Sequence, residues 1–491
     1  MKNITNLALI ATGVTLVFGA TAYVIKTNMQ NTATVSTNVE TTKNSEIDEI
    51  FQNLENTTTG TSLTVTTSAK TYESGEKILL NDKSVTISKT GNYTISGKIS
   101  NGQLIVDAGE NSEVVLNLAG VDISNSDSSA IFVKSGKVTL NLVEGTTNTI
   151  SDGKKYSDDK ESDSAVFSKE DLTIDGTGSL KINANFENGI SSKANLTINN
   201  GNITVNSVED AIKGSNSLLI NGGNFSLNSE KGDGLKSNKE GKGTITINAG
   251  KFDITSASQG IKAYKLITLN NGTINIKSSN EGIEAEQIVI NDGNLAIEAV
   301  DDGINASLSG EEQSNLKITI NGGNIVVDAE GDGIDSNGDV EMNGGKVFIY
   351  GPTKGGNGSI DFDGIFNLNG GKLISFGTAD MAQNVSETSK QNTVSLTFDF
   401  MQSAGTKFTV KDSSGKVVLE GISKKSFQNV IFSTLSLKNG TYTYEINGSK
   451  AGEFAITGAT TEVGNVNRMP GGHRGGQFGG RNWEIRPPEP R

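Results

Sequence analysis

One phrase returns through the middle of this chain: apolar-x-Ile-x-x-Gly-x-apolar-x-apolar, then a polar stretch, then an acidic or amide residue, Gly and Ile. Its clearest copies span residues 196–212, 218–235, 245–261, 267–283, 288–304 and 318–334. The closing apolar residues are Ile190, Ile212, Leu235, Ile261, Ile283, Ile304 and Ile334, which gives steps of 22, 23, 26, 22, 21 and 30 residues. Self-similarity at this period means a solenoid, in which each repeat buries its apolar face only against its neighbours.

Alternate residues of a strand share a face, and stacked strands lie about 4.8 Å apart, so equivalent residues should form columns. One inward column is expected to hold Ile198, Ile220, Ile247, Leu269, Ile290, Ile320 and Met342. Another should hold Ile203, Phe225, Phe252, Ile274, Leu295, Ile325 and Val347, and a third the closing Ile and Leu residues. Leucine-rich repeats have a similar length but need a Leu and Asn spacing that is missing here, and helix-period segments are absent. The expected fold is all-β, a right-handed parallel β-helix, with its handedness taken from the crossover rule.

The repeats organise the rest of the 491 residues. Residues 7–25 form a largely apolar run behind Lys2, so residues 1–26 read as an export signal or an uncleaved N-terminal anchor. An Asn/Thr-rich linker is expected over 27–62, the β-helix over 63–391 and a small antiparallel β region over 392–460. A Gly, Arg and Pro-rich tail over 461–491 is expected to be disordered. The implied setting is secreted or cell-surface, the implied state a monomer, with any membrane contact made only by the anchor.

Residue usage removes whole classes of chemistry. Cys is absent, and every Arg (468, 474, 481, 486 and 491), the one His (His473) and the one Trp (Trp483) lie in the tail. The body therefore lacks an imidazole base, a guanidinium clamp and His-ligated transition-metal chemistry. What it has is a concentration of acid. Between Glu281 and Asp339 stand 14 acids and one base, Lys317, in a chain whose net charge is −14.

Register sharpens this. Two positions before each closing apolar residue stand Asn188, Asp210, Asp233, Gln259, Glu281, Asp302 and Asp332, and one position after it Ser191, Lys213, Lys236, Lys262, Glu284, Asn305 and Asp335. Asp210 and Asp233 have Lys213, Lys236 and Lys262 beside them as counter-charges. Glu281, Glu284, Asp301, Asp302, Asp332 and Asp335 are expected to have none. Two readings fit the second group: solvated turns, or an oxygen-only Ca²⁺ site. The acidic loop 152–163 is a weaker candidate of the same kind.

Two stretches carry a family resemblance. Leu116-Asn117-Leu118-Ala119-Gly120-Val121-Asp122-Ile123 and Leu142-Val143-Glu144-Gly145-Thr146-Thr147-Asn148-Thr149-Ile150-Ser151-Asp152-Gly153 resemble the opening of a family of exported bacterial carbohydrate-binding β-helix proteins. The likeness continues through Ala165-Val166-Phe167-Ser168 and Gly232-Asp233-Gly234-Leu235-Lys236-Ser237, and covers residues 63–377. It implies a pectate-lyase-like fold, bound calcium, and affinity for plant-type polysaccharides such as cellulose and polygalacturonate.

The residues and the resemblance together suggest a non-catalytic polysaccharide-binding protein with no nucleic-acid partner. Its expected sugar contacts are Asp210, Lys213, Asp233, Lys236, Lys262 and Tyr264, with Tyr350 as a second stacking ring. Two alternatives remain open at this point. One is a calcium-dependent lyase whose base would be one of the three lysines, and the other is an adhesin or wall protein without sugar specificity.

Overall fold

A computed structural model describes residues 24–25, 39–40, 70–157, 161–307 and 315–464. In the N-terminal unit, Met1–Lys70, Val24–Ile25 pairs antiparallel with Val39–Glu40. Those four residues apart, the expected export segment and the linker to residue 62 lie outside the described residues, as does the tail from residue 465. The start of that tail is not disordered as expected, because Thr460–Val463 is a strand paired with Thr393–Gln402.

The second unit is the solenoid. A representative coil runs along Asn188–Ser192, turns into Asn195–Ile198, turns again into Asn202–Ser207, and returns to the first side at Ile212–Gly214. Each coil thus adds one parallel strand to each of three faces, here called A, B and C in that order. Face A stacks 12 strands, from Val85–Ile87 to Ile360–Phe362. Faces B and C belong to one sheet because the long strand Glu113–Ser124 runs round their corner. Its first half pairs with Lys137–Leu142 on face B and its end with Thr147–Ser151 on face C. Gly120, at φ 83°, makes the bend. Among the described residues no helix is present.

All three expected columns are in register. Ile198 pairs with Ile220, then Ile247, Leu269, Ile290, Ile320 and Met342, and Ile203 pairs with Phe225, then Phe252, Ile274, Leu295, Ile325 and Val347. The closing column does the same along face A, and its members are fully buried. Phe225 and Phe252 stack with their planes 2° apart, a direct result of one coil sitting on the next. The irregular steps come from corner insertions, such as residues 238–243 between faces A and B.

The corner between faces B and C carries a feature that sequence reasoning passed over. Asn221, Asn248, Asn270, Asn291, Asn321, Asn343 and Asn369 each donate Nδ2 to Oδ1 of the Asn one coil earlier, at 2.7–2.8 Å for most rungs. An amide is both donor and acceptor, so one Asn per coil can pass such a bond along the whole stack. Asn270→Ala removes two of these bonds at an exposed corner. A loss of about 1–2 kcal/mol in urea unfolding is expected, with the fold intact.

The C-terminal region continues the solenoid. Phe427–Thr434 pairs antiparallel with the last face-C strand, Lys372–Gly377, and covers what would be an open edge. Thr393–Gln402 and Thr460–Val463 extend that sheet. A four-stranded antiparallel sheet, ordered Val417–Ile422, Lys407–Asp412, Gly440–Ile446 and Ser449–Ile456, closes over its own aromatic core of Phe376, Phe408, Phe427 and Phe432. Ser413-Ser414-Gly415 forms the hairpin between Lys407–Asp412 and Val417–Ile422, with Gly415 at φ 83°.

Candidate functional site

Face A displays one outward residue per coil, and its character changes along the axis. The row reads Thr86, Ile105, Phe132, Phe167, Ser191, Lys213, Lys236, Lys262, Glu284, Asn305, Asp335 and Asp361. It begins apolar, becomes basic and ends acidic. The aromatic end is sheltered: Lys134 and Lys169 lie over the Phe132 ring, and Lys193 over Phe167.

The basic stretch is an internally neutralised ladder. Lys236 Nζ sits 3.0 Å from Asp210 Oδ1 and 2.8 Å from Asp233 Oδ2, and Lys213 lies 3.6 Å from Asp210. Side-chain exposures of 17%, 22% and 29% for Lys213, Lys236 and Lys262 leave little of each ammonium for a ligand. Burial works to lower the Lys236 pKa, but Asp233 and Asp210 outweigh it and hold the group charged. Asp210 and Asp233 also accept the backbone N–H of the equivalent residue one coil on, from Asp233 at 3.0 Å and Gln259 at 2.8 Å. These two aspartates therefore brace the coil joint. Tyr264 is half-buried at the corner between faces A and B. Tyr350 stacks on Phe376 under Lys424 and is committed to packing.

One expectation needs correcting. Glu284 was expected to lack a counter-charge, yet Lys262 Nζ lies 2.7 Å from its Oε2, because the two are adjacent rungs of the same row. The ion pair marks the boundary between the basic and acidic stretches.

Beyond it the carboxylates gather. Asp302 Oδ1 accepts the Asp332 N–H at 2.7 Å and Asp332 Oδ1 accepts the Gly358 N–H at 2.5 Å, so each has one oxygen bracing the next coil. Asn305 donates Nδ2 to Glu281 and to Asp302 at 3.4 Å each, while its Oδ1 is buried without a partner. Carboxylate oxygens of Asp332, Asp335 and Asp361 lie within 4.8 Å of one another. Burial first, and then the neighbouring carboxylates, push the pKa of Glu281, Asp332 and Asp335 up to about 7. Burial raises Asp302 and Asp361 as well. Asp301 is exposed at the corner beside them.

Asp361 was missed in the sequence, although it is the next rung after Asp335. The signal was Gly358-Ser359-Ile360-Asp361, a closing phrase one coil beyond Ile334 whose Gly-rich approach at 351–358 disguises the repeat. The weaker candidate loop is used structurally. Asp152 accepts from the Tyr156 hydroxyl, and Asp163 is held by Lys193 at 2.5 Å and the Ser191 hydroxyl at 2.7 Å. Residues 158–160 of that loop lie outside the described residues.

A family described as carbohydrate-binding domain-containing protein matches residues 81–307 and 266–417. The chain belongs to this family. A carbohydrate-binding domain-containing protein of Acetivibrio thermocellus is 41% identical over 131 residues, which is 26% of this chain and 46% of that relative. The chain thus spans just under half the length of the curated relative it matches. A solved polysaccharide lyase-like protein from C. thermocellum, a gadolinium derivative, is similar at 28% identity over 60% of this chain and 92% of its own, with a TM-score of 0.31. In this carbohydrate-binding domain the family match runs from the first face-A coils through the acidic row and into the C-terminal sheet.

Proposed function

We propose that this carbohydrate-binding protein is exported and binds uronate polysaccharide of the polygalacturonate kind, without cleaving it, through Ca²⁺ held at the acidic end of face A. The observation that carries this reading is the convergence of Asp332, Asp335 and Asp361. Ca²⁺ takes six to eight oxygens at about 2.3–2.6 Å, so oxygens on opposite sides of one ion are about 4.6–5.2 Å apart. Three carboxylate oxygens that all lie within 4.8 Å of one another are close enough to share one such ion. Asp302 and the unpartnered Asn305 oxygen offer further ligands nearby, and Glu281, Glu284 and Asp301 add negative charge to the same end.

A calcium ion there would offset the mutual repulsion of these acids and offer vacant positions to a uronate carboxylate. The three lysines support the non-catalytic reading. A base must give up its proton first, and Lys236 is held charged by two aspartates while Lys262 is paired with Glu284.

The test is a binding assay on polygalacturonate in moderate salt, with calcium and with chelator. Retention with calcium and loss with chelator is expected, and Asp335→Asn with Asp361→Asn should abolish retention. Equal retention with and without calcium in moderate salt would sink the calcium reading. Release of unsaturated oligouronides would replace the non-catalytic reading with a lyase.

A further inference from the structure

We propose that face C carries a second carbohydrate site, a trough along the solenoid axis that takes an anionic polysaccharide chain without any metal. The inference rests on the polysaccharide-binding reading but on a different surface. The outward row on face C that follows the glycine corner reads Asn202, Asn224, Lys251, Thr273, Asn294, Asn324, Lys346 and Lys372. No carboxylate interrupts it, in a chain of net charge −14.

Beside that row, two positions along each strand, runs a floor of short side chains: Thr204, Ser226, Asp253, Asn275, Ala296 and Val326. The row beyond the floor includes Asn206, Asn228, Thr255, Glu298 and Asp328, so the short residues lie between two longer rows, and Lys425 at 2.8 Å neutralises Asp328. Two open depressions, of about 560 and 340 Å³, adjoin along the trough at Lys251 and Asp253. Asp253 is the floor's one acid, and Lys277 at 3.2 Å and the Asn275 amide at 3.1 Å satisfy it. The trough closes at the next coil, where Phe348 takes the floor position and Lys372 lies over its ring.

Six rungs separated by about 4.8 Å give a trough of roughly 24 Å, long enough for several sugar rings laid end to end along the axis. The chemistry selects the occupant. Amides present donors and acceptors to ring hydroxyls, Lys251 within the trough and Lys346 at its closed end present charge to carboxylates, and Ala296 and Val326 offer apolar contact to sugar C–H faces. The floor has no aromatic platform before Phe348, so recognition falls to hydrogen bonds and charge. Many weak contacts repeated once per coil should make affinity climb with chain length.

The experiment uses the full chain with polygalacturonate fragments of graded length in chelator. At low ionic strength a chelator-resistant affinity is expected, about tenfold weaker at physiological salt, where the screening length has shrunk to about 8 Å. Lys251→Gln with Lys346→Gln should abolish it, and so should Ala296→Tyr, which fills an exposed floor position and leaves the core untouched. Calcium-dependent retention in moderate salt should be unchanged in both variants. Absence of chelator-resistant binding in the parent protein, or its survival in both variants, overturns the trough. If chelator-resistant binding behaves as expected while the calcium-dependent component is missing, the trough stands and the face-A reading falls.

Discussion

Calcium added at neutral pH should raise the melting temperature by about 5 °C at a thousandfold excess over its dissociation constant, where mass action adds about 4 kcal/mol to the native state. The expected dependence on pH follows from the acids at the site. The ordinary values are 4.5 for Glu281 and 3.8 for Asp332 and Asp335, and in the folded protein all three rise to about 7. Between these limits the native state holds protons that the unfolded chain has released. Stability from these groups is therefore full below the unfolded values and is lost as pH rises through about 7. In chelator, melting should fall steadily as pH rises from mildly acidic to neutral. Excess calcium should flatten that fall, because the ion then supplies the positive charge that protons supplied. Asp335→Asn should melt higher than the parent in chelator at neutral pH and should gain nothing from calcium. A calcium response that Asp335→Asn leaves intact would place the ion elsewhere, and no response at all would return the row to a solvated acidic face.

The fold was legible because its information is one-dimensional. A residue such as Ile247 needs only the coil before and the coil after, so the period of the sequence is also the map of contacts. The same logic placed Lys213, Lys236 and Lys262 in one row and Asp335 in its continuation. It lost Asp361 because Gly358-Ser359-Ile360 stands where earlier coils carry an acidic or amide residue, Gly and Ile, although the step from Ile334 to Ile360 lies within the range of the others. It misjudged Glu284 because Lys262 was assigned to Asp233 on the coil before it, while in the stack its ammonium pairs with Glu284 on the coil after it. The Asn corner went unread for another reason: Asn in a loop looks like ordinary turn chemistry until two coils are stacked and its amide meets the next. The trough on face C was hidden more deeply. It depends on the height of side chains at alternate positions across six coils, a property no single repeat displays.

Most closing phrases carry Gly before their apolar residue, and that column yields the largest expected effect of a single methyl group. A Cβ on Gly303 would lie 2.2 Å from Val327 Cγ1 and 2.6 Å from the Gly333 carbonyl oxygen, and one on Gly282 would lie 2.3 Å from the Gly303 oxygen. Gly189, Gly234, Gly260 and Gly333 are hemmed in likewise, by Val205, Ile254, Ile276 and Ile349. Every one of these neighbours is β-branched and occupies the same face-C column. Other residues also stand in the glycine column: Ala130, Ala165 and Ala211 are fully buried there and Ser359 follows Gly333, with Ile150, Ile182, Leu227 and Ser375 at the matching face-C positions. A methyl is thus accommodated beside Leu227 and, nearer the N-terminal end, beside Ile150 and Ile182, so what excludes one at Gly303 is the local approach of Val327 Cγ1 together with the Gly333 carbonyl oxygen. Gly303→Ala should therefore cost about 3 kcal/mol or more, since a packed backbone cannot step aside. Gly222→Ala, whose Cβ meets only the Asn199 carbonyl oxygen at 3.3 Å, should cost far less. Adding Val327→Leu to Gly303→Ala should recover much of the loss, which a double-mutant cycle in urea would read as a favourable coupling. Strict additivity of the two substitutions would mean that the backbone contact with Gly333, and not the facing side chain, keeps this column glycine.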